Sequence, residues 1–150
     1  MRRSRRDKDQ AGTALIEVTW LGILLLIPMM WILICAFEVQ KGALGTSSAA
    51  RAAGRAYVLA PTDAVGRSRA EAAARVALDD QGLEGAPIAV EVTCTPVPTD
   101  CLSGTSVVTV RISTRVDLPL LPRVLGGEAP SFALDASHVV PVGQYQERGD

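Results

Sequence analysis

The sequence predicts an α+β protein: an N-terminal transmembrane helix continuing into a stalk helix, a second helix, and a small antiparallel sheet of about three strands. Three observations predict it. Residues 18–37 carry no charge and 17 of these 20 positions are hydrophobic; at roughly 1.5 Å per residue the run is about 30 Å long, the thickness of a bilayer's hydrocarbon core. Residues 38–81 are rich in good helix formers, interrupted at Pro61. From Pro87 the apolar period changes to two. The chain beyond the span suffices for one modest core and is too short for two.

Residues 1–12 form a basic leader, with Arg2, Arg3, Arg5, Arg6 and Lys8 against Asp7 and Asp9, in a chain whose formal net charge is -1. Basic charge therefore crowds one flank of the span only. By the positive-inside rule the N-terminus stays in the cytoplasm and the C-terminal part is exported, which makes the chain a single-pass protein of the cell membrane. The exported part is mildly acidic and has Tyr57, Phe132 and Tyr145 as its aromatics. It offers neither an electrostatic footprint nor a stacking platform, so no nucleic-acid partner is expected.

The span, residues 13–37 with its entry, is longer than the apolar stretch of a secretory signal, and the flank Ala36-Phe37-Glu38-Val39-Gln40 lacks a small-x-small cleavage site. The segment reads as a signal anchor. Cys35 is preceded by Ile34, whereas a lipoprotein signal needs a small residue there.

The informative residues stand at the inner end, where the leader runs through Gly12-Thr13-Ala14-Leu15-Ile16-Glu17 directly into the span. A carboxylate at a membrane boundary is costly, up to about 2.5–3.5 kcal/mol at a span's centre and less at the interface. Glu17 has two readings. It marks a helix start, where the macrodipole favours an anion. Or a peptidase facing the cytoplasm cuts after Gly12, leaving a positive amine at Thr13, and Glu17 pairs with such an amine on a neighbouring subunit.

This hexapeptide resembles the prepilin peptidase recognition site of type IV pilin-like proteins. The continuation Ser48-Ala49-Ala50-Arg51-Ala52-Ala53-Gly54-Arg55-Ala56-Tyr57 resembles the signature found after the span in TadE-like proteins of the tight-adherence (Flp) pilus system. The likeness covers roughly residues 12–60; beyond Pro61 it is one of architecture only. The chain departs from the family's pattern at the span's proline, Pro28, which stands eleven places after Glu17. The resemblance implies a pseudopilin whose partners are the lipid bilayer, a prepilin peptidase, other pilin-like subunits and pilus assembly proteins. Gly12 and Thr13 would be its processing site and Glu17 its assembly residue.

Residues 38–60 are expected to carry the helix onward as a stalk that stops at Pro61 and is weakened by Gly42, Gly45 and Gly54. Its small residues, among them Gly42, Ala43, Thr46, Ala49, Ala50, Ala52 and Ala53, either admit another helix closely or simply make an Ala-rich stalk. The exported domain proper is residues 61–141. A second helix is expected from Thr62 or Asp63, one of them the cap, to Gln81, with Gly82 as the stop and a thin apolar face at Ala72, Ala73, Val76 and Ala77.

In the first strand Ile88, Val90, Val92 and Cys94 share a face, and in the second Val108, Val110, Ile112, Thr114 and Val116 do. Cys94 and Cys101 bracket the connecting loop. They are expected to pair as a disulfide in an oxidising compartment, the other possibility being two free thiols. A third strand, about residues 131–140, aligns Phe132, Leu134, Ala136, His138 and Val140. The apolar connection 117–130 has three open placements: on the sheet's open face, on a partner, or on the membrane surface. Residues 142–150 read as a flexible tail.

No enzyme is expected, and no catalytic residue, cofactor or metal site is assigned. Ser137 and His138 are adjacent on a strand and point to opposite faces, so they do not meet as nucleophile and base. Two distant thiols and one histidine fall short of a metal site. Two function classes remain: the pseudopilin, and an uncleaved single-pass envelope binding module. A mere anchor has no need of the leader or of Glu17.

Overall fold

A computed structural model of the chain describes residues 4–118 and 131–143, with side chains from residue 15 onward. The apolar connection and the flexible tail expected from the sequence therefore lie almost wholly outside the described residues. The elements are α1 (Ser4–Val58), α2 (Asp63–Asp79), β1 (Ile88–Thr95), β2 (Val107–Asp117) and β3 (Ser131–Pro141), the α+β layout expected. The chain divides into two compact units, Met1–Phe37 and Glu38–Asp150.

Among its described residues the first unit is helix alone. Its apolar side chains from Leu15 to Leu33 are exposed, the half-buried Trp31 apart, Trp20 by 68% and Leu25 by 69%, and this helix is long and apolar enough to cross a membrane. So much uncovered apolar surface is unstable in water, whereas an α-helix satisfies its own backbone hydrogen bonds and so is stable in lipid. Pro28 lies within the helix without ending it.

The second unit is a two-layer domain. Its sheet has the order β1-β2-β3, antiparallel throughout. Alternation along β2 buries Val108, Val110, Ile112, Thr114 and Val116 on one face, joined there by Val92 and Cys94 of β1 and Leu134 of β3. The other face is polar, with Glu91 paired in register to Arg111 and the Ser113 hydroxyl donating to Asp135. Val90 and Ile88 are only half-buried, so the core deepens toward the Cys94 end of β1.

Small residues let the helices reach that buried face. Along α1, Thr46, Ala49, Ala50, Ala53 and Tyr57 are almost fully buried, the apolar four of them in one cluster with the sheet. A Cβ at Gly42 would stand 2.5 Å from Leu134 Cδ1 and 2.8 Å from Val116 Cγ2. The glycines expected to weaken a stalk are thus contact points, and within this chain the small-residue stripe receives its own sheet and α2. The chain leaves α1 by a tight turn, Ala60 N–H donating to the Tyr57 carbonyl at 3.1 Å. Helix α1 therefore ends at Val58, ahead of Pro61.

Thr62 caps α2, its side chain accepting from Val65 N–H, and Gly82 comes after the helix at φ +68, a conformation that costs glycine little. The apolar face expected on α2 is displaced. Ala72 and Val76 are exposed, and the buried row is Gly66, Ala70, Ala74 and Leu78, an i, i+4 series. The reason is proximity: a Cβ at Gly66 would meet the Tyr57 ring at 2.9 Å and the Tyr57 carbonyl oxygen at 3.2 Å. At Gly66 only the smallest side chain fits, and the glycine and alanines of the row carry little hydropathy signal. Phe132 keeps the face expected for it, in register with the buried Val116, but is 49% exposed at the start of β3, ahead of Leu134, which is buried.

Among the described residues every buried side-chain nitrogen and oxygen has a partner; Thr114, for example, donates to the Pro87 carbonyl at 2.8 Å. The close helix contacts make a direct prediction. Gly66→Ala gains about 1 kcal/mol of helix propensity but overpacks against backbone, which costs about 1–3 kcal/mol, so a net loss is expected. Gly22→Ala, whose Cβ meets nothing within 4 Å, is expected to be neutral or stabilising. Thermal unfolding of both full-length variants in detergent compares them; equal melting temperatures would contradict this packing.

Candidate functional site

Glu17 stands on the exposed apolar helix in a strip with Trp20, Leu21 and Leu24, the i, i+3, i+4 and i+7 positions that share one helix face. Two residues on, Thr19 Oγ1 donates back to the Leu15 carbonyl at 2.8 Å, so a hydroxyl close to the carboxylate in sequence is turned inward to its own backbone. Gly12 and Thr13 belong to the same helix, in which Thr13 and Glu17 are about one turn apart. Glu17 is exposed, a carboxylate among apolar side chains, available to a cation from outside its own helix.

The second pair of expected site residues is brought together. Cys94 and Cys101 form a disulfide with Cα atoms 5.3 Å apart, and both are buried at 4% exposure. The ring turns β1 into β2 and is braced by a short polar network. Ser103 Oγ donates to the Asp100 carbonyl at 2.8 Å and lies 2.7 Å from Ser106 Oγ. The buried Ser106 accepts through its carbonyl from Val142 N–H at 2.8 Å. The loop is thereby tied to the end of β3. Cys35 is a free thiol on α1.

His138 is half-buried on the core side of β3, in register with Val110 and within reach of a Cβ at Gly54, while Ser137 faces outward. Among the described residues no three His, Cys, Asp or Glu side chains converge as a metal-ligand set.

One constellation has no counterpart among the residues singled out from the sequence. The buried Tyr57 hydroxyl donates to Asp63 Oδ1, and Arg67 Nε donates to Asp63 Oδ2 at 2.8 Å. Because Thr62 takes the cap, the Asp63 carboxylate is free to join the end of α1 to the first turn of α2. Arg67 first, and then the Tyr57 hydroxyl, hold the Asp63 carboxyl below its ordinary range. Burial first, and then the bond to Asp63, push the Tyr57 phenol above its ordinary range. The i, i+4 spacing of Asp63 and Arg67 is a usable signal; the tyrosine across a turn is not.

The chain matches no family model, no curated protein and no solved structure.

The Tyr57–Asp63–Arg67 link makes stability depend on pH at both ends of the scale. The ordinary carboxyl value near 3.9 is the unfolded reference for Asp63. Its stabilisation is therefore present above pH about 4 and is lost as pH falls through the lower folded value. For Tyr57 the unfolded reference is near 10. The folded phenol binds its proton more tightly, so stability holds below pH about 10 and falls as pH rises toward the folded value. Tyr57→Phe is expected to cost about 1–2 kcal/mol at neutral pH and to lose the alkaline decline relative to the parent. Calorimetric unfolding from about pH 3 to about pH 11 brackets both reference values, and parallel curves for parent and variant would refute the assignment.

The disulfide closes a short ring, for which loop entropy gives about 2–2.5 kcal/mol. Cys94→Ser with Cys101→Ser is expected to lose about that much, and non-reducing peptide mapping of the parent should return one crosslinked peptide. Quantitative alkylation of both thiols in freshly isolated protein would remove the bond from the native molecule.

Proposed function

We propose that the chain is a TadE-like pseudopilin. In this reading it takes part in assembling a tight-adherence (Flp) type pilus or a related secretion apparatus, after a prepilin peptidase cuts behind Gly12. The observation that carries the proposal is the sequence Gly12-Thr13-Ala14-Leu15-Ile16-Glu17 set where a helix enters the apolar stretch fit to cross a membrane, with the Glu17 side chain among exposed apolar ones. An intramembrane carboxylate is costly unless it acquires a partner. A new Thr13 amine on a neighbouring subunit is a partner of the right charge and depth. The basic leader keeps the N-terminus cytoplasmic and the C-terminal unit outside, where its disulfide is stable. Support also comes from the signature at residues 48–57, whose Ala49, Ala50 and Ala53 sit against the sheet while Arg51 and Arg55 face outward.

Thr13 and Glu17 also lie one turn apart within one helix, so the readout that speaks for the intersubunit pair is assembly rather than stability. Intact mass of protein from the native host should show loss of residues 1–12. A dominant species retaining them would promote the uncleaved binding module instead. Glu17→Gln, in a host lacking the parental gene, is expected to be processed normally and to fail in assembly, because the change strands a buried amine at a cost of several kcal/mol. Normal filaments with normal processing would return Glu17 to a helix-start role, where the loss is at most about 1 kcal/mol.

A further inference from the structure

We propose that the cleft between the start of the domain's helix and the α2–β1 loop binds the headgroup of a phosphatidylethanolamine lipid. The proposal needs only the membrane span, and stands apart from the pilus reading. The cleft has a volume of about 260 Å³ and is lined by Glu38 and Lys41 of α1, Glu84 of the loop, and Arg115 and Asp117 of β2. That is below the roughly 300–1,000 Å³ of sites for drug-sized ligands, and suits a small polar group.

Depth argues for a lipid. The apolar run ends at Phe37, with Glu38 next in the chain. Headgroup layers extend a bilayer from about 30 Å to about 40–45 Å, or about 5–7 Å on each side. At 1.5 Å per residue that is about four helical residues. With residues 18–37 in the hydrocarbon, Glu38 follows the apolar run directly and Lys41 stands three residues farther on, which brings this pair to the headgroup layer. Phe132, opposite Val116 of the cleft wall, is half exposed and offers apolar surface beside it.

Charge selects the headgroup. Lys41 and Glu38 already pair at 2.7 Å, whereas Glu84, Arg115 and Asp117 have no ion-pair partner among the described residues. Two cations against three acids leave the cleft with one net negative charge, which disfavours an anionic headgroup. The phosphate of a zwitterion suits the planar fork of Arg115. An ethanolamine ammonium has three N–H donors for Asp117 and Glu84, and a choline quaternary ammonium has none.

The test is native mass spectrometry of the full chain in detergent, with equal concentrations of phosphatidylethanolamine, phosphatidylcholine and phosphatidylglycerol. The expected result is retention of the ethanolamine lipid at least about tenfold over both others, equivalent to about 1.4 kcal/mol. Arg115→Gln and Asp117→Asn should each abolish the preference, and Glu91→Gln on the sheet's outer face should keep it. Two variants of opposite charge guard against misfolding of one, with circular dichroism as the check. Soluble phosphoethanolamine should displace the lipid at concentrations where inorganic phosphate does not. Equal retention of the three lipids, tighter binding of phosphatidylglycerol, displacement by inorganic phosphate alone, or a preference surviving in both folded cleft variants would each overturn the proposal.

Discussion

The contact on which the second unit depends is the close approach of its sheet to the small-residue stripe of α1. Val116 and Leu134 close on Gly42 at one end, and Val110, His138 and Val140 lie over Gly54 farther along. Between them Ala49, Ala50 and Ala53 are almost fully buried. Larger side chains on this stripe would lift the sheet off the helix and open the core, because interiors are packed to near crystalline density. The position of β2 is set by the stripe, and β1 and β3 are placed by their pairing with β2.

The same economy governs α2. Its first turn meets α1 through Gly66 against Tyr57, where a polar fastening accompanies the close packing, and Leu78 carries its largest buried side chain into the core. Asp63 accepts from both Tyr57 and Arg67, satisfying a buried hydroxyl that would otherwise be expensive. Where the sheet turns, at residues 95–106, the fastening is covalent, and a serine network ties the loop to Val142.

Helix α1 therefore meets two environments with two compositions. From Val18 to Phe37 most of its side chains are large and apolar, as suits lipid; from Gly42 they become small where a sheet must approach. Charges mark the two ends of the apolar run, with Glu17 at one and the Glu38–Lys41 pair at the other. The Glu38–Lys41 pair satisfies itself, whereas Glu17 needs a partner from outside its helix, since a charged group beside hydrocarbon is stable only with one.

The span, the strand faces and the Cys94–Cys101 pair are all legible in the sequence. Each depends on a local property: an unbroken apolar run, a period of two, or two thiols across a short loop. The candidate residue at the membrane boundary, Glu17, is legible for the same reason, being a charge in a place that disfavours it. The buried row on α2, the exposure of Phe132, the Tyr57–Asp63–Arg67 link and the charged cleft are not. Glycine and alanine carry almost no hydropathy signal, so a face chosen for closeness of approach is invisible until its neighbour is in place. Tyr57 and Asp63 belong to different helices, and Lys41, Glu84 and Arg115 to three separate segments. Local periodicity by itself determined which residues face inward on each strand and which stretch suits lipid. Only the tertiary structure decided which small residues touch and which distant charges meet, because both depend on distances that no pattern along the chain encodes.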